Sequence, residues 1–193
     1  MSRLGSAWDA RPEADSRHGL AKSARVDAAI EAWHDFFVAE VGATAALAGL
    51  LFVALSVNVS EILKFPFLPA RAAQTLVVLT ASLFESSLLL FPHAAESAIW
   101  ACLVIAVVSW LVSLALTNVF LRGLKRDGTV VIPRSARSLY LVTSQVASVP
   151  AIAGAVLALS GNIAGYSWIA AGILCTLAFA LYNAWILLIE ILR

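Results

Sequence analysis

Glu40 and Glu85 each sit inside a long apolar stretch, and an ionisable side chain in that setting is costly enough to be a functional candidate by default. Glu85 lies six residues from Phe91, about 9 Å along a helix, and Glu40 lies at a similar depth in the preceding stretch. Two carboxyls at one level on consecutive helices can share a proton or bind a cation. The plainer alternatives are preferred: hydrogen-bonded neutral acids, or a Glu40 side chain that reaches the headgroups. A second polar set comprises Asn58, Gln74, Asn118, Gln145, Asn183 and Glu190, each near the opposite end of an apolar stretch. Arg71, Arg122 and Arg137 share that level and offer Glu190 cationic partners. Such a band can line an inner vestibule, but hydrogen bonding between helices is the commoner use.

The elements that must position these groups are five apolar runs, 36–57, 72–91, 99–121, 139–159 and 166–189. Each reaches the roughly 20 residues that a helix needs to cross about 30 Å of hydrocarbon. The expected fold is therefore all-α, one transmembrane bundle of five helices over 36–193. A hydrophobic share of 61% and a mean hydropathy of +0.90 agree with it. Charged residues make up 13%, about half the share of a soluble domain, and a net charge of +1 gives no electrostatic case for nucleic acid. Residues 1–23 are polar, contain Pro12 and Gly19, and lack an apolar period, so they read as an unstructured tail without a cleavable signal. From Ala24, the residues Ile30, Trp33, Phe37 and Val41 recur at helical spacing opposite Asp27, Glu31 and Asp35. Residues 24–35 thus read as an interfacial amphipathic helix that leads into the first span.

Lysine and arginine alternate between connections. The first carries Lys64 and Arg71, the third carries Arg122, Lys125, Arg126, Arg134 and Arg137, and the second and fourth carry none. The positive-inside rule places the basic loops and the C-terminus in the cytoplasm, and five spans then put the N-terminus outside. The tail's Arg3, Arg11, Arg17, Lys22 and Arg25 oppose that placement, and a first run that dips in and returns is the rival arrangement. The third-loop cations would meet anionic headgroups. Packing in lipid relies on small residues. The first span offers Gly42, Gly49 and Ser56 at heptad spacing, with Glu40, Thr44, Leu51 and Asn58 on another face. The fourth offers Gly154 among Ala147, Ala151, Ala155 and Ala158, with Pro150 able to kink it. These seams hold the bundle together or meet a second copy or a membrane-protein partner.

The chain carries no familiar catalytic arrangement. His18, His34 and His93 lie outside the runs, where they cannot hold a haem between helices, and no HExxH, GxSxG or phosphate-binding loop is present. Cys102 and Cys175 sit inside runs as small hydrophobes. No metal, cofactor or enzymatic activity is expected.

Residues 49–56 (GLLFVALS), Arg71-Ala72 and the closing 183–193 (NAWILLIEILR) resemble a widespread family of small bacterial polytopic membrane proteins without an assigned activity. Some of its members carry the label of modulators of the FtsH membrane protease. The resemblance covers the chain from Phe36 onward and implies a bacterial plasma membrane, with no catalytic residues. The leading expectation is a non-enzymatic integral membrane protein acting through protein or lipid contacts. The alternative is an oligomeric ion channel or transporter that uses the intramembrane carboxylates.

Overall fold

The computed structural model describes residues 6–91, 95–127, 140 and 142–192. These form six helices: α1 (Ser6–Val57), α2 (Val59–Ile62), α3 (Leu68–Leu89), α4 (Ala95–Asp127), α5 (Val149–Leu159) and α6 (Ala164–Leu192). No strand occurs among the described residues. Five stretches are long and apolar enough to cross a membrane: Trp33–Val57, Leu68–Leu89, Glu96–Gly123, Val142–Leu159 and Ala164–Ile189. They match the five apolar runs to within a few residues at each end.

Local chemistry sets the boundaries. At the end of α1 the Asn58 amide turns back and donates to Ala54 O at 2.8 Å, which closes the helix before the short α2. Pro69 occupies the first turn of α3, where a missing N–H costs nothing. Pro150 does the same in α5, and the fourth span breaks at 147–148 just ahead of it. A carbonyl at that break stays satisfied, because Thr176 Oγ1 on α6 donates to Ala147 O at 3.3 Å. The turn between α5 and α6 uses Gly161 at φ 84, a conformation that glycine adopts without strain. In the same turn Asn162 Oδ1 accepts from the Ala164 backbone N–H at 3.0 Å and starts α6.

α1 departs from the expected pattern. It is one helix of 52 residues from Ser6, where the sequence suggests an unstructured tail to residue 23 and a distinct amphipathic helix over 24–35. A helix already nucleated by the span extends back at low cost through residues 20–32, which are rich in alanine.

α3 is the centre of the bundle, although it is the least apolar of the five spans. It packs on α1, α4 and α6, and α5 packs on α6 and α4. Over half of α3 is buried (56%), against 22% for the spans of α1 and α4. Three apolar layers stack along it. One end holds Phe37, Leu89, Ile99 and Tyr166; the middle holds Leu51, Val78, Leu79 and Phe179; the other end holds Phe67, Leu68, Phe120 and Leu187.

The small-residue seams separate into one that packs and one that does not. At Gly154 an added Cβ would strike the Ile169 backbone and lie 2.7 Å from Gly165 O. Gly165 reaches equally close to the backbone of Ala158, and Gly172 to that of Ala151. α5 and α6 therefore touch backbone to backbone along their length. Gly42 and Gly49, by contrast, have nothing within 4 Å, and Ser56 is exposed with its hydroxyl bonded to Phe52 O on its own helix. On α1 the buried face is Phe37, Glu40, Thr44 and Leu51, and the glycines of the heptad face open space in the single chain, where only a second copy or a partner could meet them.

Candidate functional site

The most developed polar feature is a network at the N-terminal end of α3, between α4, α6 and Tyr140. Gln74 is fully buried and uses its amide on all sides. Nε2 donates to Ser113 Oγ at 2.7 Å and to Thr117 Oγ1 at 3.0 Å, and Oε1 accepts from the Tyr140 hydroxyl at 2.6 Å. Thr117 in turn donates to Ser113 O at 2.8 Å. One turn before Gln74, Arg71 is 6% exposed and donates through Nη2 to Asn183 Oδ1 at 3.3 Å. Its guanidinium carbon lies 5.3 Å from the Tyr140 ring centre and 5.7 Å from that of Phe120, a cation–π setting that offsets part of the cost of burying the charge. Asn183 is fully buried, and its Nδ2 finds no acceptor among the described residues.

A second polar group lies at the other end of α3, about 16 Å from Gln74 at helical rise. Glu85 is 5% exposed, and its carboxyl makes no hydrogen bond or ion pair among the described residues. Cys102 Sγ donates at 3.5 Å to the Glu85 backbone carbonyl, not to the carboxyl. Ser82 and Ser86 are buried beside it, and Ser86 Oγ is unpartnered among the described residues. On α1, Glu40 is buried and accepts from Thr44 Oγ1 at 3.4 Å. Between the two polar ends lies the middle apolar layer of Leu51, Val78, Leu79 and Phe179.

The structure divides the residues picked out by sequence. Gln74 and Asn183 enter the network. Asn118 does not: it is exposed, and its amide donates to Leu114 O on its own helix at 2.9 Å. The Asn58 side-chain amide likewise donates to α1, the helix it follows, among the described residues. Gln145 Nε2 donates to Ser144 Oγ at 3.2 Å, while Gln145 Oε1 is buried without a partner among the described residues. Arg122 is exposed at the end of α4. Lys125 and Arg126 fall in the last turn of α4 and Glu190 in the last turn of α6, with side chains outside the described residues, as are Arg134 and Arg137 entirely. Sequence reasoning missed Ser113, Thr117 and Tyr140 and took Arg71 for a loop cation. The spacing of Ser113 and Thr117, one helical turn apart, was the available signal.

Two lateral grooves lie among the described residues. One, of about 610 Å³, is lined by Tyr140, Val142, Thr143, Val146, Cys175, Phe179 and their neighbours. The other, of about 490 Å³, runs between α3 and α4 past Val77, Phe84, Val104 and Val108. Both have apolar walls. Among the described residues no group of three or more His, Cys, Asp or Glu side chains is placed to hold a metal ion. Comparison of the chain with family models, curated proteins and solved structures returns no match.

Proposed function

We propose that this chain is a non-enzymatic integral membrane protein that works through contacts with lipid or with other membrane proteins. The observation that carries this reading is the state of Gln74. This amide, buried toward the N-terminal end of α3 against α4, has both its donors and its acceptor oxygen engaged by Ser113, Thr117 and Tyr140. A polar group so occupied fastens helices together and is not offered to a passing ligand. The apolar layer around Val78 and Phe179 divides this network from Glu85, and the two lateral grooves among the described residues have apolar walls suited to lipid. A bacterial plasma membrane, with the N-terminus outside and the C-terminus in the cytoplasm, is the setting that the loop charges and the family resemblance favour.

A second reading, an ion pathway, is favoured by Glu85 alone. A buried carboxyl with no partner among the described residues, next to a Ser86 hydroxyl in the same state, is what a proton or small cation would engage. Flux measurements on the purified chain in liposomes separate the two. Proton or alkali-cation flux equal to that of protein-free vesicles is expected. Flux above that level that disappears in Glu85→Gln would put the ion pathway first.

A further inference from the structure

We propose that the turn of α3 carrying Ser82, Glu85 and Ser86 binds one sodium-sized alkali cation, with the Glu85 carboxylate as its counter-charge. The proposal goes beyond the contact reading and holds whether or not the chain conducts ions.

The first support is burial without partners. Glu85 is 5% exposed and Ser86 is fully buried. Neither the Glu85 carboxyl nor Ser86 Oγ has a hydrogen-bond partner among the described residues. Buried polar groups in that state call for a partner, and a bound ion is one that satisfies them.

Charge supplies the second. The sequence has no Lys or Arg between Arg25 and Lys64, between Arg71 and Arg122, or between Arg137 and Arg193. Arg71, on the same helix, stands about 21 Å from Glu85 at helical rise. The lysines and arginines of this chain therefore leave the level of Glu85 without a counter-charge.

The third is the kind of atom on offer. Ser82, Glu85 and Ser86 are spaced i, i+3 and i+4, so they share one patch of helix surface, and all three are buried. Long helical side chains lean back over the preceding turn, which brings the carboxyl toward Ser82. The patch offers carboxylate and hydroxyl oxygens and no side-chain N–H, a set that suits a hard cation. A proton would cancel the charge but engage fewer of these oxygens than an alkali ion does.

One carboxylate fixes the valence. Phe37 clusters with Leu89, and Leu51 clusters with Val78 and Leu79, so α1 runs antiparallel to α3 and sets Glu40 level with Ser86. The Glu40 carboxyl is already engaged on its own helix, where it accepts from Thr44 Oγ1 at 3.4 Å. Glu85 is thus left to balance a single positive charge. The apolar layer of Leu51, Val78, Leu79 and Phe179 lies beyond this turn, so the ion is held there and not passed on.

The test is thermal melting of the full chain in detergent at mildly alkaline pH, in sodium, calcium or choline chloride at equal ionic strength. Sodium should raise the melting temperature over choline by roughly 5 °C, the order expected at about a hundred times the dissociation constant. Glu85→Gln should melt with the unmodified chain in choline and lose the sodium increment. Ser86→Ala should need roughly tenfold more sodium for the same rise. Glu40→Gln should keep the increment. Equilibrium dialysis against radioactive sodium gives a second measure, and one ion bound per chain is expected, with none in Glu85→Gln. Equal melting in sodium and choline with no bound sodium overturns the proposal, as does an increment or bound ion that persists in Glu85→Gln. A rise with calcium alone, or one that Glu40→Gln abolishes, also overturns it, because the site would then need both carboxylates. Ion flux in liposomes would sink the contact reading separately and leave the binding result standing.

Discussion

At the scale of single residues, burial alone does not rank the polar groups; their partners do. Gln74 and Glu85 are both buried on α3, yet one makes three side-chain hydrogen bonds and the other makes none among the described residues. Gln74→Leu takes the amide partner from the Tyr140 and Ser113 hydroxyls, while Thr117 keeps its bond to Ser113 O. Each interhelical bond in a membrane protein is worth roughly 0.6 kcal/mol, so a loss of about 1–2 kcal/mol is expected. Glu85→Leu removes a carboxyl that bonds to nothing described and should leave stability unchanged or raised. Thermal melting in detergent checks the ranking, and a larger loss for Glu85→Leu would mean that its carboxyl is engaged after all. Gln74 was legible in sequence because a lone amide in an apolar run is conspicuous. Ser113, Thr117 and Tyr140 were not, since hydroxyls pass unnoticed among apolar residues, and nothing in the sequence marks Arg71 as the one cation that the fold buries against two aromatic rings among the described residues.

At the scale of elements, the same small-residue pattern has opposite meanings on two helices. Gly49 faces away from the bundle with open space around it, whereas Gly154, Gly165 and Gly172 let α5 and α6 approach backbone to backbone. A heptad of small residues shows that a close contact is possible but not whether its neighbour lies within the bundle or in a second copy, and on α1 the bundle supplies none among the described residues. The fourth-span seam was read correctly at Gly154, though its partners on α6 emerge only from the antiparallel register. Gly154→Val and Gly172→Val should each destabilise by more than the roughly 1–3 kcal/mol usual for overpacking, because the new side chain meets backbone that cannot rotate aside. Gly49→Leu should be silent in the monomer. Leu51→Ala, which empties a buried site in the middle layer, should cost on the order of 2 kcal/mol. Equal melting of Gly154→Val and Gly49→Leu would mean that α5 and α6 do not pack as described.

At the scale of the molecule, the number of spans and the helical bundle were plain in the sequence, because hydrocarbon thickness leaves a chain few other uses for five apolar runs. The arrangement of those spans was not, since apolar periodicity is blurred where both lipid and neighbours are apolar. The central place of the least apolar span follows from its polar side chains, which must face inward. Orientation is a further question that rests on loop charge, and it can be tested. Reporter fusions after Asp127 and after Asn162 should report opposite sides, with Asp127 in the cytoplasm, because the fourth span separates them and the cations follow Leu121. Equal accessibility would mean that the fourth span does not cross. The N-terminus is the sharper case. An odd number of spans sends it across with Arg3, Arg11, Arg17, Lys22 and Arg25, against the usual bias of those residues. Only a complete crossing by Trp33–Val57 requires this, so an external N-terminal reporter is the expected result. A cytoplasmic one would mean that the first span, the only one with its glycines turned to open space, does not traverse the bilayer.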